Sequence, residues 1–469
     1  MMWVLLWTDA LVFALVAVIV TFVLYARKHE HMRAPWREVV RGRIAVAALV
    51  VLMTYTVTGL LDSVHFRKAL PMQDGQQEVQ YAGDVVSLLD GLLGDLATQV
   101  EKTYSAPFAT TLYTRETVIA EDGTQQRIFP RLKYGGAHLA DPVSERVGDI
   151  ALRSLRALGE ALLIILLLYA LLSAWLGRRW NTGSAAAALR MLRGETDVPW
   201  RTALVTLFVF VFLAALIVNL ASVWHVFGTD KVGKDVLYQT IKSIRTGLVI
   251  GTLTTLVMLP FAVFLGMMAG YFRGWVDDVI QYLYTTLNSI PGVLLIAASV
   301  LMMQVYMDTH PELFETMEER ADLRLLFLCL ILGITSWTGL CRLLRGETLK
   351  LRELEYVQAA DAFGVAKATI LMRHLLPNLM HLVLIAVVID FSGLVLAEAV
   401  LSYVGVGVDA TTMSWGNMIN RARLEMAREP MVWWSLLAAF SFMFMLVLAA
   451  NLFADAVRDA FDPRLRAQR

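Results

Sequence analysis

RLLRGETLKLRELEYVQAADAFGVAKATILMRHLLPNLMHLVLI, residues 342–385, is a polar stretch caught between two apolar runs. Gly364 can take the left-handed conformation that ends a helix, so we expect two short helices here. One runs from Thr348 to Phe363 and the other from Ala366 to Leu375, with Pro377 opening the next apolar segment. Ala359, Ala360 and Ala362 permit close approach by another surface, and Arg352, Glu353, Glu355 and Asp361 can orient it. An amphipathic helix lying on a membrane would gather its basic residues on one face. These do not, and the segment reads as a docking element for a cytoplasmic partner.

The rest of the chain explains why the stretch stands out. Of 469 residues, 57% are hydrophobic and 17% charged, and mean hydropathy is +0.59. Soluble domains carry about 25% charged residues. The deficit points to a lipid-embedded, all-α polytopic protein. Lys and Arg number 41 and so do Asp and Glu, so no global charge suggests a nucleic-acid partner. A bilayer core needs about 20 apolar residues per helix. Nine runs qualify: 3–25, 43–61, 157–177, 204–224, 247–270, 283–303, 325–343, 379–400 and 432–455.

Loop charge orients the spans, because Lys and Arg stay on the cytoplasmic side. Residues 26–43 hold six Lys/Arg against two acids, and 178–201 hold five against two. Residues 305–323 reverse the balance, with six acids and one Arg. The expected topology therefore has the N-terminus outside and the C-terminus cytoplasmic. The first run lacks a positive n-region and a small-residue cleavage site, and reads as an uncleaved anchor with Asp9 near the outer interface.

Residues 62–155 form a hydrophilic insert on the outer side, mixing strand-like alternation (TLYTRETVIA) with the turn signals EDG and YGG. His65 and His138 are isolated within it and read as surface or hydrogen-bonding residues rather than metal ligands. Cys329 and Cys341 lack the spacing of a metal or redox site and read as inert buried thiols. Asp390 and Glu398 are acids inside one apolar run, eight residues and about two helical turns apart. Glu398 is expected near the outer end, and Asp390 toward the bundle interior as a candidate pathway residue. No catalytic residue and no metal site is expected.

FGTDKVGKDV, residues 227–236, imitates a phosphate-binding loop: Gly228, Gly233 and Lys234 fall at the spacing G-x-x-x-x-G-K. The motif then needs a Ser or Thr hydroxyl for Mg²⁺, and Asp235 stands there instead. A phosphate loop also joins a strand to a helix in a soluble domain, whereas this segment follows a membrane span. Nucleotide binding is not expected.

Glu355 to Gly364 followed by His374-Leu375-Leu376-Pro377-Asn378 resembles the coupling loop of ABC importer permeases, E-A-A-x-x-x-G-x₉-I-x-L-P. Gln358 replaces the motif's Glu, and His374 replaces its Ile, as in the oligopeptide and dipeptide branch, where R-H-I-L-P-N is typical. FGTDKVGKDV is similar to that family's F-G-T-D-x-x-G-R-D-V, and MMAGYFRGWVDDVI to A-G-Y-F-G-G-x-x-D. LSYVGVGVDATTMSWGNMI is similar to L-S-F-L-G-L-G-x-x-P-P-x-P-S-W-G-x-M-L, with Ala410, Thr411 and Met413 in place of prolines. The tail NLFADAVRDAFDPRLR is similar to N-L-L-G-D-x-L-R-D-x-L-D-P-R-L-R. The matches cover residues 203–469 in the family's order.

The resemblance implies a C-type permease subunit with six spans in an ABC importer type I core. Its implied partners are a B-type permease, two cytoplasmic ABC ATPases, an extracytoplasmic solute-binding protein and the lipid bilayer. ATP and Mg belong to the ATPases, and no cofactor to this chain. The implied location is the bacterial inner (cytoplasmic) membrane. Glu355, Tyr356, Gln358, Ala359, Ala360, Asp361, Gly364, His374 and Pro377 are the implied ATPase-coupling residues, and Gly228, Thr229, Asp230, Ser414 and Trp415 the segments facing the binding protein. The expected organisation is two N-terminal spans with a basic loop (1–61), the insert (62–155) and a third span with a basic linker (156–202). A first core span with the FGTD segment (203–241), the permease core (242–456) with its coupling loop (343–378) and a cytoplasmic tail (457–469) follow. Peptides are the expected substrate, with nickel chelates or another small solute as the alternative. A membrane receptor with a sensory insert is the competing class; it accounts for residues 62–155 but not for the coupling loop.

Overall fold

The computed structural model describes residues 2–28, 30–69, 81–119, 125–313 and 316–461. The beginning of the insert at 70–80, its EDG turn and the tail from 462 lie outside the described residues. In chain order the helices are α1 (Trp7–Lys28), α2 (Glu30–Arg41), α3 (Arg43–Asp62), α4 (Leu88–Leu92), α5 (Gly94–Thr98), α6 (Arg146–Arg179), α7 (Ser184–Arg193), α8 (Trp200–Ala221) and α9 (Val236–Phe272). They continue with α10 (Gly274–Ser289), α11 (Gly292–Thr309), α12 (Met317–Ser336), α13 (Thr338–Arg352), α14 (Glu355–Ala362), α15 (Lys367–Thr369), α16 (Leu376–Val404), α17 (Trp415–Glu425) and α18 (Trp434–Phe461). The strands are β1 (Met2–Val4), β2 (His65–Ala69), β3 (Tyr81–Ser87), β4 (Glu116–Ile119) and β5 (Gln125–Ile128).

Among the described residues, nine helical segments are long and apolar enough to cross a membrane, and each of the nine apolar runs lies on one or more of these helices. Three boundaries differ from the sequence expectation. The run 283–303 is interrupted, because Ile290 is extended ahead of Pro291 and the candidate span is α11; a residue before proline is pushed out of the helical region. The helix expected from Thr348 instead runs on from the preceding span to Arg352, and α14 starts afresh after an extended Leu354. The helix expected to end at Leu375 passes through a π-helical turn, Ile370–Leu375, straight into α16. Pro377 supplies no N–H to the ladder, and a wide turn next to it accommodates the missing bond.

Contacts divide the chain into two compact units, each assembled from three stretches. The first comprises Met1–Val4, Arg37–Thr246 and Met413–Ala449. Here β1, β2 and β3 form an antiparallel sheet with Trp3 opposite Phe66, so Met2–Val4 is a strand and the helix of the run 3–25 begins only at Trp7. Strands β4 and β5 make a separate antiparallel pair. Helices α6 and α8 pack through Ala157, Ala161 and Ala215, small residues that let the backbones approach. Lys242 on α9 bridges Asp62 at the end of α3 and Asp90 in α4, at 2.8 and 2.9 Å. Asp90 also closes a capping box with Ser87.

The second unit comprises Leu5–Trp36, Gly247–Thr412 and Ala450–Arg469. One core gathers Ile250, Leu253, Leu325, Leu328 and Leu332, with Val12 of α1 packed against it. The N-terminus of α1 is capped from α12: the Asp322 carboxylate accepts the Thr8 N–H at 3.0 Å and also its hydroxyl. Negative charge belongs at that end of a helix. Asp9, expected near the lipid interface, is fully buried in protein. Cys329 and Cys341 are buried free thiols. The second core centres on α9, α13 and the start of α16. Gly266 and Gly270 lie one turn apart on α9, and α13 crosses directly over them. A Cβ on Gly270 would sit 2.6 Å from Thr348 Cβ and 2.8 Å from the Arg345 carbonyl oxygen.

Gly270→Val should therefore lower the thermal unfolding midpoint in detergent, at a cost of about 1–3 kcal/mol for overpacking. Gly346→Ala, where an added Cβ meets nothing within 4 Å, should leave the midpoint unchanged or slightly raised. Equal midpoints for Gly270→Val and the parent would show that the α9–α13 contact does not need glycine.

Candidate functional site

The polar stretch at 353–378 is built as an exposed helix riveted to the ends of the apolar helices. Of α14, Val357 is buried and Ala360 half-buried, both against the second core. Ile370, Leu371 and Leu375 anchor the following turn in the same cluster. Between these anchors the backbone reverses at Gly364, whose φ is 72°. The Gly364 N–H bonds the Asp361 carbonyl, and the Val365 N–H bonds that of Ala360. A left-handed residue here satisfies the end of α14, at a cost of roughly 1–2 kcal/mol for any side chain bearing a Cβ.

Charged and aromatic groups fix the base of this element. Arg345 donates to both Asp277 oxygens, at 2.6 and 2.7 Å, tying α13 to α10. Arg352 donates to the Tyr271 carbonyl at 2.6 Å, and the Tyr271 hydroxyl donates to Asp361 at 3.3 Å. Arg273 pairs with Glu353. Arg273 occupies a glycine position of the A-G-Y-F-G-G pattern and holds φ 55°, a left-handed backbone that the pattern's glycine would adopt without strain. Asn378 donates to the Tyr356 hydroxyl at 3.0 Å and to the His374 carbonyl at 2.7 Å, joining two of the expected residues. Gln358 donates to the Glu353 carbonyl at 3.2 Å.

Glu355, Tyr356, Gln358, Ala359, Asp361, Gly364 and Pro377 are exposed, and Ala360 and His374 half-buried. Leu354, Tyr356, Phe363 and Met372 add an exposed apolar face, with Phe363 87% exposed. The element therefore leaves aromatic and small side chains exposed while Val357 and the following turn are packed.

The FGTD segment lies differently. Gly228, Thr229, Asp230, Ser414 and Trp415, expected to face outward, are all buried, and the exposed residues beside them are Lys231, Val232 and Lys234. Residues of the insert cover the loop. The Thr229 hydroxyl donates to the Thr103 carbonyl at 2.8 Å, and Asp230 receives the N–H groups of Val232 and Lys234. Gly233 has φ 79°, and a Cβ there would lie 1.8 Å from the Glu101 carbonyl oxygen. The two glycines that imitate a phosphate loop thus serve chain reversal and close backbone approach. Ser414 caps α17, and Trp415 donates to the Thr240 carbonyl at 3.1 Å.

Sequence reading missed the group that locks insert to loop. His225 lies fully buried between Asp235, 2.8 Å from Nδ1, and Glu101, 3.3 Å from Nε2. Glu101 also accepts the N–H groups of Lys133, Tyr134 and Gly135. Burial disfavours the imidazolium, but hydrogen bonds to Asp235 and Glu101 outweigh it and raise His225 to about 9. Burial likewise opposes the Glu101 carboxylate, yet the bonds from His225 and the three backbone N–H groups lower it to about 2. His138 is not isolated either, pairing with Asp149 at 3.1 Å. Asp390 is half-buried on α16, and Glu398 is buried, accepting the Ser402 hydroxyl at 2.7 Å.

The sign of the pH dependence follows. A raised histidine stabilises fully below about 6.5 and loses that contribution as pH climbs through about 9. The Glu101 contribution is complete above about 4.5 and fades as pH falls toward about 2. Limited proteolysis within 125–145 should accelerate between neutral pH and about 9, and His225→Gln should abolish that dependence while raising cleavage at neutral pH. Cleavage rates independent of pH in the parent would refute the ionic lock.

A family model described as "Binding-protein-dependent transport system inner membrane component" matches residues 262–467, which include the exposed helix and its anchors. The glutathione transport system permease protein of Pectobacterium atrosepticum is 31% identical over 245 residues, 52% of this chain and 74% of that protein. The dipeptide transport system permease protein of Bacillus subtilis is 29% identical over 242 residues, 52% and 69% of the two chains. The oligopeptide permease of Haemophilus influenzae is 28% identical over 243 residues, 52% and 71%. Exposed turn, packed anchors and sequence agreement lead to one assignment: the chain belongs to the binding-protein-dependent transport system inner membrane components, the permease subunits of ABC importers.

Proposed function

We propose that this permease is the C-type subunit of a peptide importer of the bacterial inner membrane, with its N-terminus outside and its C-terminus cytoplasmic. The peptide assignment draws on the dipeptide, oligopeptide and glutathione permeases it resembles. A B-type permease would supply the other half of the pathway, two cytoplasmic ATPases the driving force, and a solute-binding protein the substrate. Residues 242–456 would form the type I core. Among the charged loops, 178–201 with five basic residues against two acids supports the orientation.

The observation that carries the mechanism is the helix α14, exposed on one side and buried at Val357 on the other. A partner pressing on Tyr356, Ala359 or Phe363 would move α13 and α16 with it, because Val357, Ile370 and Leu375 are packed against them. Coupling of this kind is a shared free energy: ATPase state and helix position must each bias the other. The buried FGTD residues would act indirectly, by shaping the loop whose exposed Lys231, Val232 and Lys234 meet the outer partner.

Cysteine cross-linking in membranes tests the reading. Phe363→Cys should form an adduct with an ATPase subunit, and Lys102→Cys, on the insert, should react with an impermeant thiol reagent without opening the inner membrane. An ATPase adduct through Lys102→Cys, with none through Phe363→Cys, would invert the orientation and remove the docking role.

A further inference from the structure

We propose that α7 and the two helix ends it joins form a binding site for anionic phospholipid headgroups. The helix is held between two candidate spans, α6 and α8, rather than trailing in a loose loop. Ala187 and Met191 are buried against Leu172 and Leu176 of α6 and Trp200 and Leu204 of α8. The Tyr169 hydroxyl donates to the Ala188 carbonyl at 2.8 Å. At the preceding turn, a Cβ on Gly177 would lie 2.9 Å from the Thr182 carbonyl oxygen, so the chain folds back tightly. Gly194, with φ 73°, closes the other end.

What this fixed helix leaves uncovered is an unusual mixture. Leu189 and Leu192 are exposed, and between and beside them Arg190 and Arg193 are exposed too. Arg178, Arg179 and Arg201 stand at the ends of the flanking helices, also exposed. Among the described residues no ion pair engages any of these five arginines; of the two acids in 178–201, Asp197 pairs with Arg41, and Glu195 is exposed and forms no ion pair with any of the five. At the boundary of a bilayer, leucines interleaved with arginines serve both phases: leucines enter the acyl region while guanidinium groups meet phosphate. Trp180 and Trp200 pack against the same cluster as α7, and Trp175 is exposed one turn before Arg179; indoles concentrate where headgroups begin. The Arg179 guanidinium lies over the Trp175 ring at 5.4 Å, which orients it. Neutral headgroups would satisfy the tryptophans and leucines but leave five cations without a counter-charge, so the site selects an anionic lipid.

Lipid retention by the purified full-length chain, read by native mass spectrometry in detergent, tests this with phosphatidylglycerol and phosphatidylcholine of identical acyl chains. The parent should retain phosphatidylglycerol preferentially, and the preference should shrink as salt rises. Arg190→Ala with Arg193→Ala should weaken apparent phosphatidylglycerol affinity about thirtyfold, in keeping with the attraction of two surface cations. Arg190→Lys with Arg193→Lys keeps the charge and should retain most of the binding, which separates lost charge from lost folding. Arg156→Ala, which breaks an exposed pair with Glu160 at the far end of α6, should change nothing. Equal retention of both lipids by the parent, or unchanged phosphatidylglycerol affinity in the double alanine variant, would overturn the proposal.

Discussion

The burial of Val357, Ile370, Leu371 and Leu375 in one cluster with α9, α10, α13 and α16 is the constraint on which the transport reading rests. Taking each such side chain out of water contributes about 1.5–3 kcal/mol. Four of them hold a short helix that has too few turns to be stable alone. The same packing leaves Tyr356 and Phe363 outside. An element fixed on one side and bare on the other can receive a push and pass it on; a floppy loop of equal composition could not. Arg345 and Asp277 strengthen the frame beneath it, and their bidentate geometry satisfies two charges that would be costly if either stood alone.

A different logic governs the first unit. Its hydrophilic insert is not an independent appendage, because Glu101 joins three of its backbone N–H groups to His225 and reaches Gly233 through its own backbone. Lys242 ties the end of α3 and the helix α4 to α9. The FGTD loop therefore has its shape determined by residues from more than a hundred positions earlier. Its glycines are explained by that crowding, and the resemblance to a phosphate loop is an accident of spacing.

The spans were readable because apolar runs of sufficient length have few alternatives to crossing a bilayer. The turn at Gly364 was readable from one residue type, since little else tolerates positive φ at a helix end. Pro291 carried the interruption of the run 283–303 in plain view, but hydropathy averages over a single residue and hid it. Partnerships across long separations were not legible. Asp322 caps a helix 314 positions away, and His225 meets Glu101 across 124. Nothing local marks such pairs: an acid in a polar loop looks the same whether it is solvated or buried against a histidine. The outward role expected of Thr229, Asp230 and Trp415 rested on their motif, and burial beneath the insert and neighbouring helices is a tertiary fact that a motif does not contain.

The most direct test of coupling through α14 is Gly364→Val, with ATP hydrolysis and peptide uptake measured in the assembled transporter. Space is not the issue, since a Cβ there meets nothing within 4 Å; the strain lies in the φ of 72°. A β-branched residue resists that conformation most, and relieving it would tilt α14 while leaving the apolar helices inserted. The account predicts normal subunit levels, ATP hydrolysis that no longer responds to the loaded binding protein, and reduced uptake. Normal uptake at normal subunit levels would contradict it and show that residues 343–378 do not transmit the ATPase stroke.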